Sequence, residues 1–91
     1  MKVPIQKYGE LLISRPAGHE AFLVLRAYAR PQTSDETIEL DFTGVKVLTP
    51  SWADEVLTGL RSEFQNPIVC LPSENSTVLE TLRFLGVWPE E

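Results

Sequence analysis

Ser51 lies in Thr49-Pro50-Ser51-Trp52, where the strand-like run Val45-Lys46-Val47-Leu48 gives way to the apolar stripe of a helix. A hydroxyl at such a junction can accept from the unpaired amides of the first turn, as an N-cap. It can also receive a phosphate, whose charge would meet the positive end of the helix dipole. The two roles use the same backbone groups, and the cap is the commoner of them. In α/β folds, the crevice beyond the carboxyl ends of strands is the usual place for ligands and switches. Thr49, Ser51, Trp52 and Asp54 therefore form a candidate surface for binding a partner or ligand, with Ser51 as the candidate phospho-acceptor. Arg15, just ahead of another helix, joins them: its planar fork can clamp a phosphate or a carboxylate, or simply face solvent. Trp52 is large enough either to close over the core or to anchor a partner, and burial is the favoured reading.

The other reactive side chains fit enzymatic chemistry poorly. Ser51, His19 and Asp41 are the residue types of a hydrolytic triad, but Gly-x-Ser-x-Gly is absent and His19 falls in the first turns of a helix, facing outward. Asp41 and Glu39 share a strand face with no third metal ligand in view, so they read as a surface acidic pair or as carboxylates accepting from a nearby loop. Cys70 sits in the apolar run Ile68-Val69-Cys70-Leu71, as a buried, inert thiol would. A single cysteine and a single histidine make neither an internal disulfide nor a Cys/His zinc cluster. The glycines follow no phosphate-binding spacing. The expectation is a non-enzymatic protein with no cofactor and no metal.

The elements that must position Ser51 follow from periodicity. The chain has 91 residues, 43% of them hydrophobic, which suits one small domain over residues 1–91. Val3 and Ile5 alternate with polar residues as a short strand, and Pro4 pushes it to an edge. Leu11-Leu12-Ile13 is a second short strand. A helix opens at Ser14, with Pro16 in its first turn, and Pro31 stops it. Its stripe is Ala21, Phe22, Leu25, Tyr28 and Ala29; Leu23 lies roughly opposite, open to a partner. Thr37 to Phe42 is the clearest strand, with Ile38, Leu40 and Phe42 on one side. Val45 to Leu48 extends it after a bend at Gly44. The next helix starts at Ser51, with Ala53, Val56, Leu57, Leu60 and Phe64 as its stripe and Asp54 and Glu55 in the first turn, where the dipole favours acid. Ile68 to Leu71 reads as a central strand covered on both faces. The last helix carries Val78, Leu79, Leu82 and Leu85, and Gly86 suits its C-terminal cap. Strands alternating with helices give an α/β domain with a mostly parallel or mixed sheet of about four strands and three main helices.

Charge narrows the partners. Eight basic residues against thirteen acidic give a net charge of −5, which disfavours nucleic acid and anionic membranes. The longest apolar runs, Ala21 to Leu25 and Ile68 to Leu71, fall far short of the roughly 20 residues of a membrane span. Met1-Lys2-Val3-Pro4 lacks a signal-peptide core. A cytoplasmic protein is expected. Leu23, Trp88 and the small core are compatible with homo-oligomers. A small-ligand or nucleotide sensor using the Ser51 crevice and Arg15 is the alternative to a protein-binding module.

Ile38-Glu39-Leu40-Asp41-Phe42-Thr43-Gly44-Val45, followed by Leu48-Thr49-Pro50-Ser51-Trp52-Ala53-Asp54-Glu55-Val56-Leu57, resembles the core of STAS domains, which include bacterial anti-sigma factor antagonists. The resemblance runs from about Gly9 to Val87. It is strongest to a STAS-like branch of uncharacterised bacterial proteins with Asp-Phe-x-Gly-Val and then Ser, an aromatic residue and Ala-Asp-Glu; Ser14-Arg15 also matches that branch. The resemblance implies a regulatory module that binds a protein partner, in relatives often an ATP-binding regulator of the histidine-kinase-like class. In anti-sigma antagonists such a kinase phosphorylates the serine matched by Ser51. The family's acidic residue is Thr49 here, its first serine is Pro50, and its following glycine is Trp52, whose ring could shield the hydroxyl.

Overall fold

The computed structural model describes residues 1–87. Five short strands, all paired in parallel, form two small sheets. In chain order the elements are β1 (Lys2–Pro4), β2 (Leu11–Leu12), α1 (Arg15–Tyr28), β3 (Ile38–Asp41), β4 (Val47–Leu48), α2 (Pro50–Glu63), β5 (Ile68–Cys70) and α3 (Ser76–Phe84). One sheet has the order β1-β3-β5 and the other pairs β2 with β4. Ile5 leaves the expected first strand and enters a 3-10 turn, Ile5–Tyr8, yet stays fully buried.

The alternation of β3 sorts its side chains as a period of two requires. Ile38, Leu40 and the following Phe42 enter the core, together with Val3 and Cys70 from the flanking strands. Ala21, Phe22 and Leu25 of α1, the apolar stripe of α2, and Val78 and Leu82 of α3 close over them in one cluster. The opposite face of the three-stranded sheet carries Lys2, Glu39 and Val69 in register. Strand β5 therefore departs from expectation. It is an edge strand, and Val69 is 41% exposed. An unbroken apolar run of four residues, Ile68 to Leu71, does not distinguish a strand covered on both faces from one covered on one. Tyr28 also leaves the α1 stripe and is exposed, because the helix ends there with Ala29 as its C-cap.

Helices α1 and α2 approach closely at two glycines. A Cβ on Gly18 would stand 2.7 Å from the Trp52 carbonyl oxygen, and one on Gly59 would stand 2.7 Å from the Phe22 ring. Helix α1 starts as expected, with Ser14 Oγ accepting from Ala17 N at 3.2 Å. Helix α3 ends as expected at Gly86, whose φ of 73° lets Val87 N donate back to Leu82 O at 2.9 Å.

Helix α3 also closes an edge. Thr81 Oγ1 donates to Leu48 O at 2.8 Å, and Thr77 Oγ1 accepts from Leu48 N at 3.1 Å. Asn75 Oδ1 caps α3 by accepting from Thr77 N and Val78 N, while its Nδ2 donates to Val45 O and Lys46 O. These side chains satisfy the backbone of β4 and the stretch leading into it, where a neighbouring strand would otherwise be needed.

Cys70 is a buried free thiol, and burial raises its pKa to about 11 from an ordinary 9.0. The unfolded thiol would ionise first as pH rises through 9, so this residue contributes a loss of stability between about pH 9 and 11. Native protein at neutral pH is expected to resist a thiol-specific reagent such as DTNB and to react stoichiometrically once denatured; rapid reaction in the native state would contradict the burial.

Candidate functional site

The junction between β4 and α2 is built around Thr49. Its backbone occupies the N-cap position, with Ala53 N donating to Thr49 O at 3.1 Å. Pro50, with its fixed φ and missing N–H, takes the first helical position. Ser51 is therefore the second residue of the helix and not its cap, which corrects the expectation from sequence. The Thr49 hydroxyl does not cap either. It donates to Leu12 O at 3.0 Å and Ile13 O at 2.7 Å, pinning the start of α2 to the end of β2. Thr49 thus serves the frame of the site, while its neighbour two residues on is free of that task.

Ser51 is exposed, and no hydrogen bond engages its side chain among the described residues. Trp52 turns the other way, into the core, with 2% of its surface exposed. It offers no face to a partner, and its ring does not cover the Ser51 hydroxyl as a bulky residue at that position could. The helical repeat explains the division. Trp52, Ala53, Val56, Leu57 and Leu60 fill the buried side of α2, while Ser51, Asp54 and Glu55, at i, i+3 and i+4, share a face.

Asp54 and Glu55 lie beyond the first turn, because the helix begins at Pro50. The expected contact with the dipole gives way to a contact with α1. Arg15 Nη1 donates to Asp54 Oδ2 at 2.9 Å and to Glu55 Oε2 at 3.1 Å. His19 Nδ1 lies 3.3 Å from Glu55 Oε1. Arg15 clamps carboxylates, as its fork suits it to do, but they are the chain's own. Its hydrogen bonds to Asp54 and then Glu55 raise its pKa. Glu55, bonded to Arg15 and close to His19, is the shared centre of this cluster and is not among the site residues expected from sequence. Its spacing of four from Ser51 was the available signal; the approach of α1 was not.

The other candidate groups are held apart from Ser51. Among the described residues no hydrogen bond links His19, Asp41 and Ser51. Asp41 Oδ1 accepts from Thr43 N at 3.0 Å and from Thr43 Oγ1 at 2.7 Å, and these bonds lower its pKa. It holds the turn after β3. No cluster of three or more His, Cys, Asp or Glu side chains suited to a metal occurs among the described residues. No helix of the described residues is long and apolar enough to cross a membrane. Trp88 lies outside the described residues.

Two depressions open at the carboxyl ends of the strands. One, of about 460 Å³, runs from Phe42 to Val45 and from Pro72 to Asn75, beyond β3 and β5; among the described residues Glu74 is its only charged lining residue. The other, of about 430 Å³, lies between β4, the start of α2 at Thr49 and Pro50, and one side of α3. Val47, Pro50 and Phe84 give it apolar walls, and Glu80 is its only charged lining residue among those described.

A family model described as a STAS-like domain of unknown function (DUF4325) matches residues 23–69, just over half of the chain. The match takes in the last six residues of α1, then β3, β4, α2 and all but the last residue of β5, and so includes Ser51. No curated protein and no solved structure matches the chain.

Proposed function

This chain belongs to the STAS-like domain family, and from that premise we propose that it is a non-enzymatic regulatory module that docks a protein partner on the face around Ser51. The observation that carries this reading is the division between adjacent residues at the start of α2: Trp52 is locked into the core, while Ser51 is exposed and uncommitted on a rigid frame. A hydroxyl held this way suits recognition by a second protein. Among the described residues no hydrogen bond joins it to a base or acid that would make it a nucleophile: Asp54 and Glu55 on the same face are engaged by Arg15.

Phosphorylation of Ser51 is the switch in this reading, with a histidine-kinase-like ATP-binding regulator as the partner class. A phosphate carries a charge of about −1.5 to −2 at neutral pH. At the second position of α2 it would meet open backbone amides and the dipole. It would also stand on the same face as Asp54 and Glu55, making that face strongly negative and drawing Arg15 away from them. A partner docked there would meet a changed charge pattern. The nucleotide-sensing alternative has less support, since Arg15 already serves two carboxylates and the described lining of the groove at the start of α2 holds Glu80 and no cation.

Affinity capture from the native cell, with the bound protein identified and Ser51 checked for phosphate, tests the reading. Ser51→Ala is expected to retain the partner and Ser51→Glu to weaken it by about tenfold or more, as a like charge at an interface does. Equal capture by wild type and Ser51→Glu would remove the switch. No specific partner with any of the three proteins would remove the docking module.

A further inference from the structure

The outer face of the β2–β4 ladder is open and apolar. Leu12 and Leu48 point into the core, so alternation sends Leu11, Ile13 and Val47 outward. Leu11 and Ile13 are 61% and 56% exposed, and Leu11 is in register with Val47. Val47 in turn shares the groove at the start of α2 with Pro50 and Phe84, which is 77% exposed. Isolated apolar residues on a surface need no explanation, whereas a continuous strip from strand to helix marks a contact site.

Charge identifies what the strip would take. Glu80 borders the groove at the Phe84 end, and no salt bridge engages it among the described residues. At the Ile13 end, one arginine, Arg15, faces two carboxylates, Asp54 and Glu55. Beside Leu11 and Val47, Glu10 and Lys46 offset each other at 3.4 Å, which leaves a surplus of acid toward the two ends of the strip on a chain of net charge −5. A second copy of the same chain would bring acid against acid. We propose that this strip docks a segment of another protein in which apolar side chains are flanked by lysine or arginine. The inference rests on reading the Ser51 face as a docking surface, and it adds the chemistry of the partner. Apolar anchors supply the affinity and the flanking charges fix the register.

Selection of a random short-peptide library, displayed on phage, against the intact chain tests the proposal. Enriched peptides are expected to place Lys or Arg beside aliphatic or aromatic residues. Their synthetic versions are expected to bind Phe84→Ser and Glu80→Lys about tenfold or more weakly than wild type. Both positions are exposed, so both variants should melt with wild type. Acidic flanks in the enriched peptides, unchanged binding to Phe84→Ser, or no enrichment over the bare support would overturn the proposal. So would a wild-type dimer in sedimentation that Phe84→Ser dissociates, since that would assign the strip to a second copy. A native partner lost on Ser51→Glu but retained by Phe84→Ser and Glu80→Lys would sink this inference while leaving the Ser51 reading intact.

Discussion

Trp52→Ala is expected to lower the unfolding free energy by about 3–5 kcal/mol, read as a drop in the denaturant midpoint. The indole is 2% exposed and belongs to the cluster that joins all three helices to the sheet. Its removal forfeits the transfer energy of a large aromatic side chain and leaves a cavity that Val56 and Leu60, fixed on the same helix, cannot fill. A domain of this size has typically about 5–15 kcal/mol in total, so the variant should sit near the limit of folding. Ser51→Ala, one residue away, should change stability by less than about 0.5 kcal/mol, because the hydroxyl is exposed and makes no bond among the described residues. Comparable losses in the two variants would show that the division between core and surface at the start of α2 is wrong.

Gly18→Val should have the second large effect, about 2–3 kcal/mol of destabilisation. Even a bare Cβ at this position would approach the Trp52 carbonyl to 2.7 Å and the Trp52 Cα to 3.1 Å. Backbone atoms cannot swing aside as a side chain does, so α1 must move off α2. The better helix propensity of a substituted residue offsets only a part, less than about 1 kcal/mol. The displacement would also pull Arg15, one turn earlier in α1, from Asp54 and Glu55. Chemical denaturation measures the first effect, and NMR shifts of the Arg15 guanidinium report the second. A variant as stable as wild type, with unmoved Arg15 signals, would contradict the close crossing of the two helices.

Local pattern made some of this legible in advance. Ile38, Leu40 and Phe42 alternate with charged residues and so declared the face of β3 directly. Ser14 before Pro16, and Gly86 after a leucine stripe, marked helix ends whose geometry depends only on their neighbours. The start of α2 was harder, because Thr49 and Ser51 both carry hydroxyls suited to a cap. Pro50 was the discriminating residue: a proline at the first helical position puts the cap on the residue before it. Other features depend on parts of the chain far apart in sequence. Val69 is exposed because its face of the β1-β3-β5 sheet, shared with Lys2 and Glu39, lies opposite the core, which the apolar run Ile68 to Leu71 cannot express. Arg15 reaches Asp54 and Glu55 across about 40 positions. The clasp of Asn75, Thr77 and Thr81 on β4 requires knowing that α3 returns to that edge. Polar residues of this kind look like ordinary helix surface until their partners are placed.

Hydrogen–deuterium exchange of the chain, alone and bound to the partner recovered by affinity capture, tests most directly whether the start of α2 is a contact face. The account predicts slowed exchange at the first turn of α2 and along residues 11–13, with the exposed face of the β1-β3-β5 sheet unchanged. Protection confined to that sheet face, around Glu39 and Val69, with α2 exchanging as in the free protein, would contradict it.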